Sequence, residues 1–354
     1  MQMHRFFYTK IIGIHFAEAK TIAHLIVLER LEPIRFSPIL IRVGENIIGF
    51  SSLSSYQSRI AMLFFKQQKR MLLLHKNNTR LLRSIFEKGT QLSPLPACFK
   101  AKKVLLGNVA TMQIENLRSN KNAKRILVYI HGGGFVIGSP KSYKGYVASL
   151  CQLSQASYAY IPDYRLAPEA KFPAAIDDVF AVWQEICQKY HGYEIVLAGD
   201  SAGGNLALAL CVRARDMGVT LPQRVYLLSP WLDLTLTSMS HKKQDRHDPF
   251  LGTYFLARDF ARHYVVEQDC NNPLISPLFA DFKGLPSFYV QVGSKEVLLD
   301  DSREFARKAT AQGVDVKLDI WTGMWHAWTI VPFVPESRQA LKEAGYWLGN
   351  LDIK

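Results

Sequence analysis

The sequence predicts an α/β fold, a mostly parallel central sheet with helices on both faces and a helical cap. Three features carry that expectation. From Pro96 onward short β-rich runs alternate with helical stretches, residues 55–90 ahead of them have a helical pattern, and residues 231–285 interrupt the alternation. A chain of 354 residues is long enough for one large α/β domain with an appended cap.

The β-rich runs are Val104–Leu106, Ile126–Ile130, Tyr158–Ile161, Glu194–Ala198, Val225–Leu228, Phe288–Val292 and Val316–Ile320. Helical stretches lie between them at about 142–155, 174–190, 202–217 and 301–312, with Gly192, Gly218 and Gly313 where C-terminal caps belong. Residues 231–285 are too many for a simple crossover and are expected to form an insertion with a helix near 251–265. In residues 55–90, Ile60, Leu63, Phe64, Met71–Leu74, Leu81, Leu82, Ile85 and Phe86 recur at roughly helical spacing among many Lys and Arg. That pattern fits amphipathic helices with one face on a pocket and a basic face in water. Residues 1–50, broken by charge and by Pro33 and Pro38, show no clear period. The organisation expected is an N-terminal extension over 1–50, cap helices over 51–95, and the main domain over 96–354 with its insertion at 231–285.

Composition narrows the class. An apolar share of 48% supports a buried core and argues against disorder. No run of 18 uncharged apolar residues occurs. The cysteines (Cys98, Cys151, Cys187, Cys211, Cys270) are odd in number and lack CxxC spacing, which fits reduced residues in a cytoplasmic protein. The first residues, Met1 to Phe7 and on to Ala19, faintly resemble an export signal, but Lys10 interrupts the apolar part. The net charge of +13 is uneven: residues 1–100 carry fifteen Lys and Arg against five Asp and Glu, while the rest is near balance. No recognition motif accompanies the excess, so no nucleic-acid partner is expected. A solvated basic flank is the plain reading, and weak attraction to an anionic membrane surface the sharper one. Assembly as a homodimer is left open.

The central motif is Gly199-Asp200-Ser201-Ala202-Gly203-Gly204, between the apolar run Ile195–Ala198 and a helical stretch. A serine on a tight strand-to-helix turn needs glycine two residues before and two after, because a Cβ there collides with neighbouring chain. Upstream, His131-Gly132-Gly133-Gly134-Phe135 follows the run Ile126–Ile130. Its glycines expose backbone N–H groups of the kind that hold developing negative charge, each worth roughly 3–4 kcal/mol in acyl transfer. Neither dinucleotide nor P-loop spacing is present. Gly133, Gly134 and Ala202 are the expected donors. Of ten histidines only His326 follows the last strand, as a base for such a serine must. The acid lies after Phe288–Val292; Glu296 is the first carboxylate there, while Asp300 and Asp301 are competitors that suit the N-terminus of the following helix.

Together these motifs resemble the hormone-sensitive-lipase family of α/β-hydrolases, in its bacterial esterase branch with a GDSAG elbow. The resemblance runs from about Leu53 to the C-terminus. It also rests on Asp163-Tyr164-Arg165-Leu166-Ala167-Pro168-Glu169, Phe172-Pro173-Ala174-Ala175, Ser276-Pro277-Leu278 and Gly284-Leu285-Pro286. It implies an α/β-hydrolase fold, a two-part cap lining an acyl pocket, and no metal or organic cofactor. It further implies that Arg165 sits in a buried ion pair and that Asp177 and Asp178 are structural. The acid run departs from the family's DxLxD, with Glu296 at its head, and Ala327-Trp328 replaces the usual Gly-Phe. Phe135, Trp325 and Trp328 are expected around the substrate. The activity implied is hydrolysis of a small carboxylic ester of short to medium acyl length through an acyl-enzyme. Lactone hydrolysis or deacetylation at the same residues is the alternative, and a non-catalytic ligand-binding protein on the same scaffold the remote one.

Overall fold

The apolar runs of the sequence become the inner strands of an eight-stranded sheet, because strands covered on both faces need apolar side chains at consecutive positions. The computed structural model describes residues 39–43, 46–50, 54–74, 78–89, 94–119, 124–252, 260–265 and 270–350. A hairpin of β1 (Ile39–Val43) and β2 (Asn46–Phe50) comes first, then helices α1 (Tyr56–Leu74) and α2 (Thr79–Gly89). The sheet is built from β3 (Phe99–Leu106), β4 (Val109–Asn116), β5 (Arg125–Ile130), β6 (Tyr158–Pro162), β7 (Glu194–Asp200), β8 (Arg224–Leu228), β9 (Ser287–Gly293) and β10 (Val316–Trp321). Helices α3 (Pro140–Leu153), α4 (Ala174–Lys189), α5 (Ala202–Asp216), α6 (Met239–Lys243), α7 (Leu299–Ala311) and α8 (Pro335–Leu348) complete it. The spatial order is β10-β9-β8-β7-β5-β6-β4-β3; β5 to β10 run parallel, and β4 is antiparallel to both its neighbours. This is the α/β-hydrolase arrangement expected.

Alternation along each strand sorts the core into two layers. Ile126, Val128 and Ile130 of β5 join Leu197, Val225, Leu227, Phe288 and Val290 under α4, α5 and α7. Leu127 and Tyr129 join Val196, Ala198, Tyr226 and Tyr289 on the other face, under α3 and α8. The chain steps from β5 to β6 on one side and returns to β7 on the other. The crevice between the ends of β5 and β7 is therefore a topological switch point, where open α/β sheets bind ligands.

Five elements were not expected from sequence: the hairpin strands β1 and β2, strand β4, the short helix α6 and the C-terminal helix α8. The helical pattern of 55–90 resolves into α1 and α2. Of the helix expected near 251–265, residues 253–259 lie outside the described residues, and residues 260–264 are helical, ending in the α-turn Arg262–Tyr264. Residues 1–38 also lie outside them. Among the described residues no helix is long and apolar enough to cross a membrane. The Arg165–Asp178 pair exists at 2.7 Å, but the arginine side chain is 58% exposed and only the aspartate is buried. Arg165 lays its fork over Asp178 from the solvent side, as a long cationic side chain does.

The insertion is fastened to the sheet by carboxylates at the head of α7. Asp301 Oδ2 accepts the backbone N–H groups of Leu232 (2.8 Å) and Asp233 (3.0 Å), and Oδ1 faces His241 Nε2 at 3.2 Å, all of it buried. Removing the carboxylate leaves two buried donors without an acceptor. Asp301→Ala is expected to lower unfolding free energy by about 3 kcal/mol in urea titration, whereas Arg303→Ala, at a half-exposed pair on the same helix, is expected to change it by under about 0.5 kcal/mol.

Candidate active site

Ser201 stands at the end of β7 with φ +53° and ψ −119°, a conformation rare for a residue with a side chain. The turn is enforced from both sides. A Cβ on Gly199 would meet the Gly203 carbonyl oxygen at 2.5 Å, and one on Gly203 would meet the Ile130 carbonyl oxygen at 2.1 Å. The Ser201 N–H donates to Leu228 O (3.0 Å), and its own carbonyl accepts from Asn205 and Trp231. The serine is thus locked at the N-terminus of α5 beside the end of β8.

The glycine loop comes off β5 next door. Gly133 has φ +115° and Gly134 φ +61°. Among the described residues, no protein group accepts from the N–H of Gly133, Gly134 or Ala202. Asp200 ties this loop to the elbow. Its Oδ1 accepts Gly132 N–H and the Tyr129 hydroxyl, both at 2.8 Å, and its Oδ2 accepts the Tyr143 hydroxyl at 3.0 Å. Burial pushes the Asp200 carboxyl up to about 6, although all three donors pull the other way. His131 is buried too, its ring stacked on Tyr164 at 4.3 Å, and burial lowers it to about 4. It is therefore neutral, with Nδ1–H donating to Gly132 O at 2.8 Å.

His326 lies on the loop after β10, and its Nδ1 is 3.1 Å from Glu296 Oε2. Glu296 is fully buried, and its other oxygen accepts the Ser229 hydroxyl (2.7 Å) and Gly293 N–H (2.6 Å). Burial alone would push the imidazole down. The Glu296 hydrogen bond and charge, with the charges of Asp248 and Asp200, outweigh it and hold His326 above its ordinary value. Asp300 points elsewhere, accepting from Ser240 N–H at 2.7 Å. The Ser201 hydroxyl makes no hydrogen bond to His326 in this structure; among the described residues the imidazole bonds only to Glu296. Such bonds are commonly long in a free enzyme and tighten with substrate.

Two phenylalanines of the insertion roof the site. Phe250 stacks on the His326 ring at 6.0 Å and meets Phe65 of α1 edge-on at 5.5 Å. Phe260 covers Gly134 so closely that a Cβ there would lie 2.4 Å from its ring. Asp248, buried and pushed up to about 6 by that burial, accepts from Phe250, Leu251 and Val297 N–H, linking this roof to the loop that carries Glu296. Lys69 of α1 donates to the carbonyls of Asp245, Asp248 and Leu251. Arg83 of α2 does the same for Val136 and Ala167 beside the glycine loop, and forks onto Glu169.

The three aromatic residues expected around the substrate are distributed differently. Trp325 is buried with its ring 5.9 Å from Phe65, under α1. Phe135 is buried beneath the glycine loop, stacked on Tyr264 at 3.9 Å. Trp328 is fully buried: the chain is left-handed at Ala327, and the ring packs on Trp321 in the core layer under α3 and α8. Asp200, Ser229, Asp248, Phe250 and Phe260 had no assigned part in the sequence reading. Asp200 sits inside the GDSAG motif, and Asp248-Pro249 is a turn signal, so both had a cue. The phenylalanines had none.

The chain is similar to known proteins. A family described as α/β hydrolase fold matches residues 127–330. The chain is 36% identical over 275 residues to an esterase of Acinetobacter venetianus, covering 77% of this chain and 89% of that one. It is 36% identical over 247 residues to an acetyl-hydrolase of Streptomyces hygroscopicus, covering 68% and 82%. The crystal structure of an esterase from the bacterial hormone-sensitive lipase family superposes with a TM-score of 0.77 at 31% identity, covering 84% of this chain and 99% of that one. With its sheet order, its elbow and these relatives, the chain belongs to the α/β-hydrolase family, in the carboxylesterase and lipase-type group related to hormone-sensitive lipase.

Proposed function

We propose that this protein hydrolyses carboxylic esters of short to medium acyl length by acyl transfer to Ser201, with His326 as base and Glu296 as its acid partner. The observation that carries it is the 3.1 Å contact between the buried Glu296 carboxylate and His326 Nδ1, on the loop beside a serine held in an elbow. A carboxylate on Nδ1 fixes the tautomer that leaves Nε2 free to take a proton. His326 Nε2 accepts the Ser201 proton as Oγ attacks the ester carbonyl, and the oxyanion is held by the N–H groups of Gly133, Gly134 and Ala202. The imidazolium returns the proton to the leaving alcohol. Water, deprotonated by the same nitrogen, then releases the acid and restores Ser201. The esterase and acetyl-hydrolase names of the relatives support the substrate class, and the close roof of Phe250 and Phe260 favours short acyl groups.

Ser201→Ala is expected to lower kcat on p-nitrophenyl butyrate by about 10⁴ or more and to abolish fluorophosphonate labelling, with the urea midpoint unchanged. Retention of a tenth of the activity would sink the assignment. The acid is tested by a pair of variants. Glu296→Gln is expected to cost roughly 10²–10⁴ in kcat, whereas Asp300→Asn should leave kcat within a few-fold and cost about 1 kcal/mol at the Ser240 contact. A crippled Asp300→Asn enzyme with an active Glu296→Gln enzyme reverses the two. The pH profile gives a third check. The base works only when neutral, and His326 is held above the ordinary 6.5. The acid limb of kcat/KM is therefore expected at a pH above 6.5, falling away below it. In Glu296→Gln the limb should move down, since the group that raises the imidazole is gone.

A further inference from the structure

Helix α1 meets the loop that carries Glu296 over a cleft of about 280 Å³ lined by Arg59, Met62, Leu63, Lys66, His247 and Lys295. Positions 59, 62, 63 and 66 form one helical stripe, so α1 presents two cations and two apolar groups to the same space. Lys295 faces them from the loop after β9, its ammonium 3.4 Å from Met62 Sδ. No Asp or Glu lines the cleft, and among the described residues none of the three cations has a carboxylate partner. Burial, and then the charges of Lys66 and Arg59, hold the Lys295 ammonium below its usual range, the direction expected of clustered cations lacking a counter-ion. The apolar part is open to solvent: Leu63 is 69% exposed.

We propose that this cleft binds the phosphate or carboxylate head of an anionic amphiphile, with its first carbons lying on Met62 and Leu63. A bare anion would need the cations alone. The exposed leucine between them fits a ligand whose charge continues into an apolar chain. The space is at the lower end of small-ligand sites, enough for a head group and a few carbons. Two of the eight Lys and Arg of residues 55–90, Arg59 and Lys66, thereby acquire a place in the fold. The proposal rests on the charge and shape of this cleft and not on the chemistry of Ser201, so either can fail without the other.

The test is calorimetric titration of the full-length protein at low salt with octyl phosphate below its micellar range, and with octyl glucoside as the neutral chain of equal length. Wild type is expected to bind the phosphate more tightly. Each charge removed should weaken it about fivefold, so Arg59→Gln with Lys66→Gln costs roughly 25-fold and adding Lys295→Gln roughly 100-fold, while octyl glucoside is unaffected. Arg59 and Lys66 are exposed, so the double variant is not at risk of misfolding. Co-sedimentation with phosphatidylglycerol and phosphatidylcholine vesicles separates the sources. Charge-dependent sedimentation with the first assigns the head group to a membrane, and binding of the monomer alone assigns it to a soluble ligand. Equal affinity for the two octyl compounds, or equal binding of octyl phosphate by wild type and triple variant, overturns the proposal.

Discussion

Beneath Ser201 a buried carboxylate holds two separate loops in one geometry. Asp200 receives Gly132 N–H from the glycine loop and phenol groups from β5 and α3, while its own backbone ends β7 and leads into Ser201. Each hydrogen bond to such a charged group is worth about 1.5–3 kcal/mol. Three of them still do not offset the burial, for the carboxyl is raised to about 6. As a source of stability the arrangement is poor. What it supplies is position: the loop bearing Gly133 and Gly134 cannot slide along β5 without breaking its bond to the residue before Ser201. The phenols contribute because they stay protonated, Tyr129 and Tyr143 both being held far above the usual phenol range by burial and by the Asp200 charge itself.

Above the serine, the covering layer is fixed by a different chemistry. Lys69 and Arg83 act mainly on backbone carbonyls, one fastening the 245–251 loop to α1 and the other fastening α2 to the glycine loop. Carbonyls are insensitive to the side chains that carry them. The sequence of the covering loops can therefore vary around these two cations while the layer stays attached. The aromatic contacts that follow, Phe65 on Phe250 and Phe250 on His326, transmit that attachment to the imidazole.

Much of this was legible in the sequence, for reasons that differ by residue. The elbow announces itself because glycines at 199 and 203 are sterically compelled, and the strand before it is an unbroken apolar run. That the sheet is mostly parallel followed from the alternation of strands and helices. β4 escaped notice because its buried face includes Thr111 and Gln113, which interrupt the apolar period. α8 escaped because its buried stripe is Ala340, Ala344 and Gly345 before Leu348. Small residues let it press on Leu153 of α3, where a Cβ on Gly345 would come within 2.2 Å, but they leave a faint pattern. The buried position of Trp328 had no cue either, since proximity in sequence to His326 carries no information about the left-handed turn at Ala327. The roof was illegible because Phe250 and Phe260 reach the site only through tertiary packing of the insertion.

The order of loops around the sheet also has a consequence for the chain during its synthesis. The serine, the Glu296 loop and His326 come off β7, β9 and β10 in turn, and the long insertion separates the first from the others. On the mechanism proposed above, a nascent chain that has just completed the elbow has no imidazole to activate it, and at ribosomal speed the missing histidine is on the order of ten seconds away. Until then the serine is an ordinary alcohol. On that mechanism reactivity therefore arrives only with β9 and β10, and an incomplete chain exposes no activated oxygen.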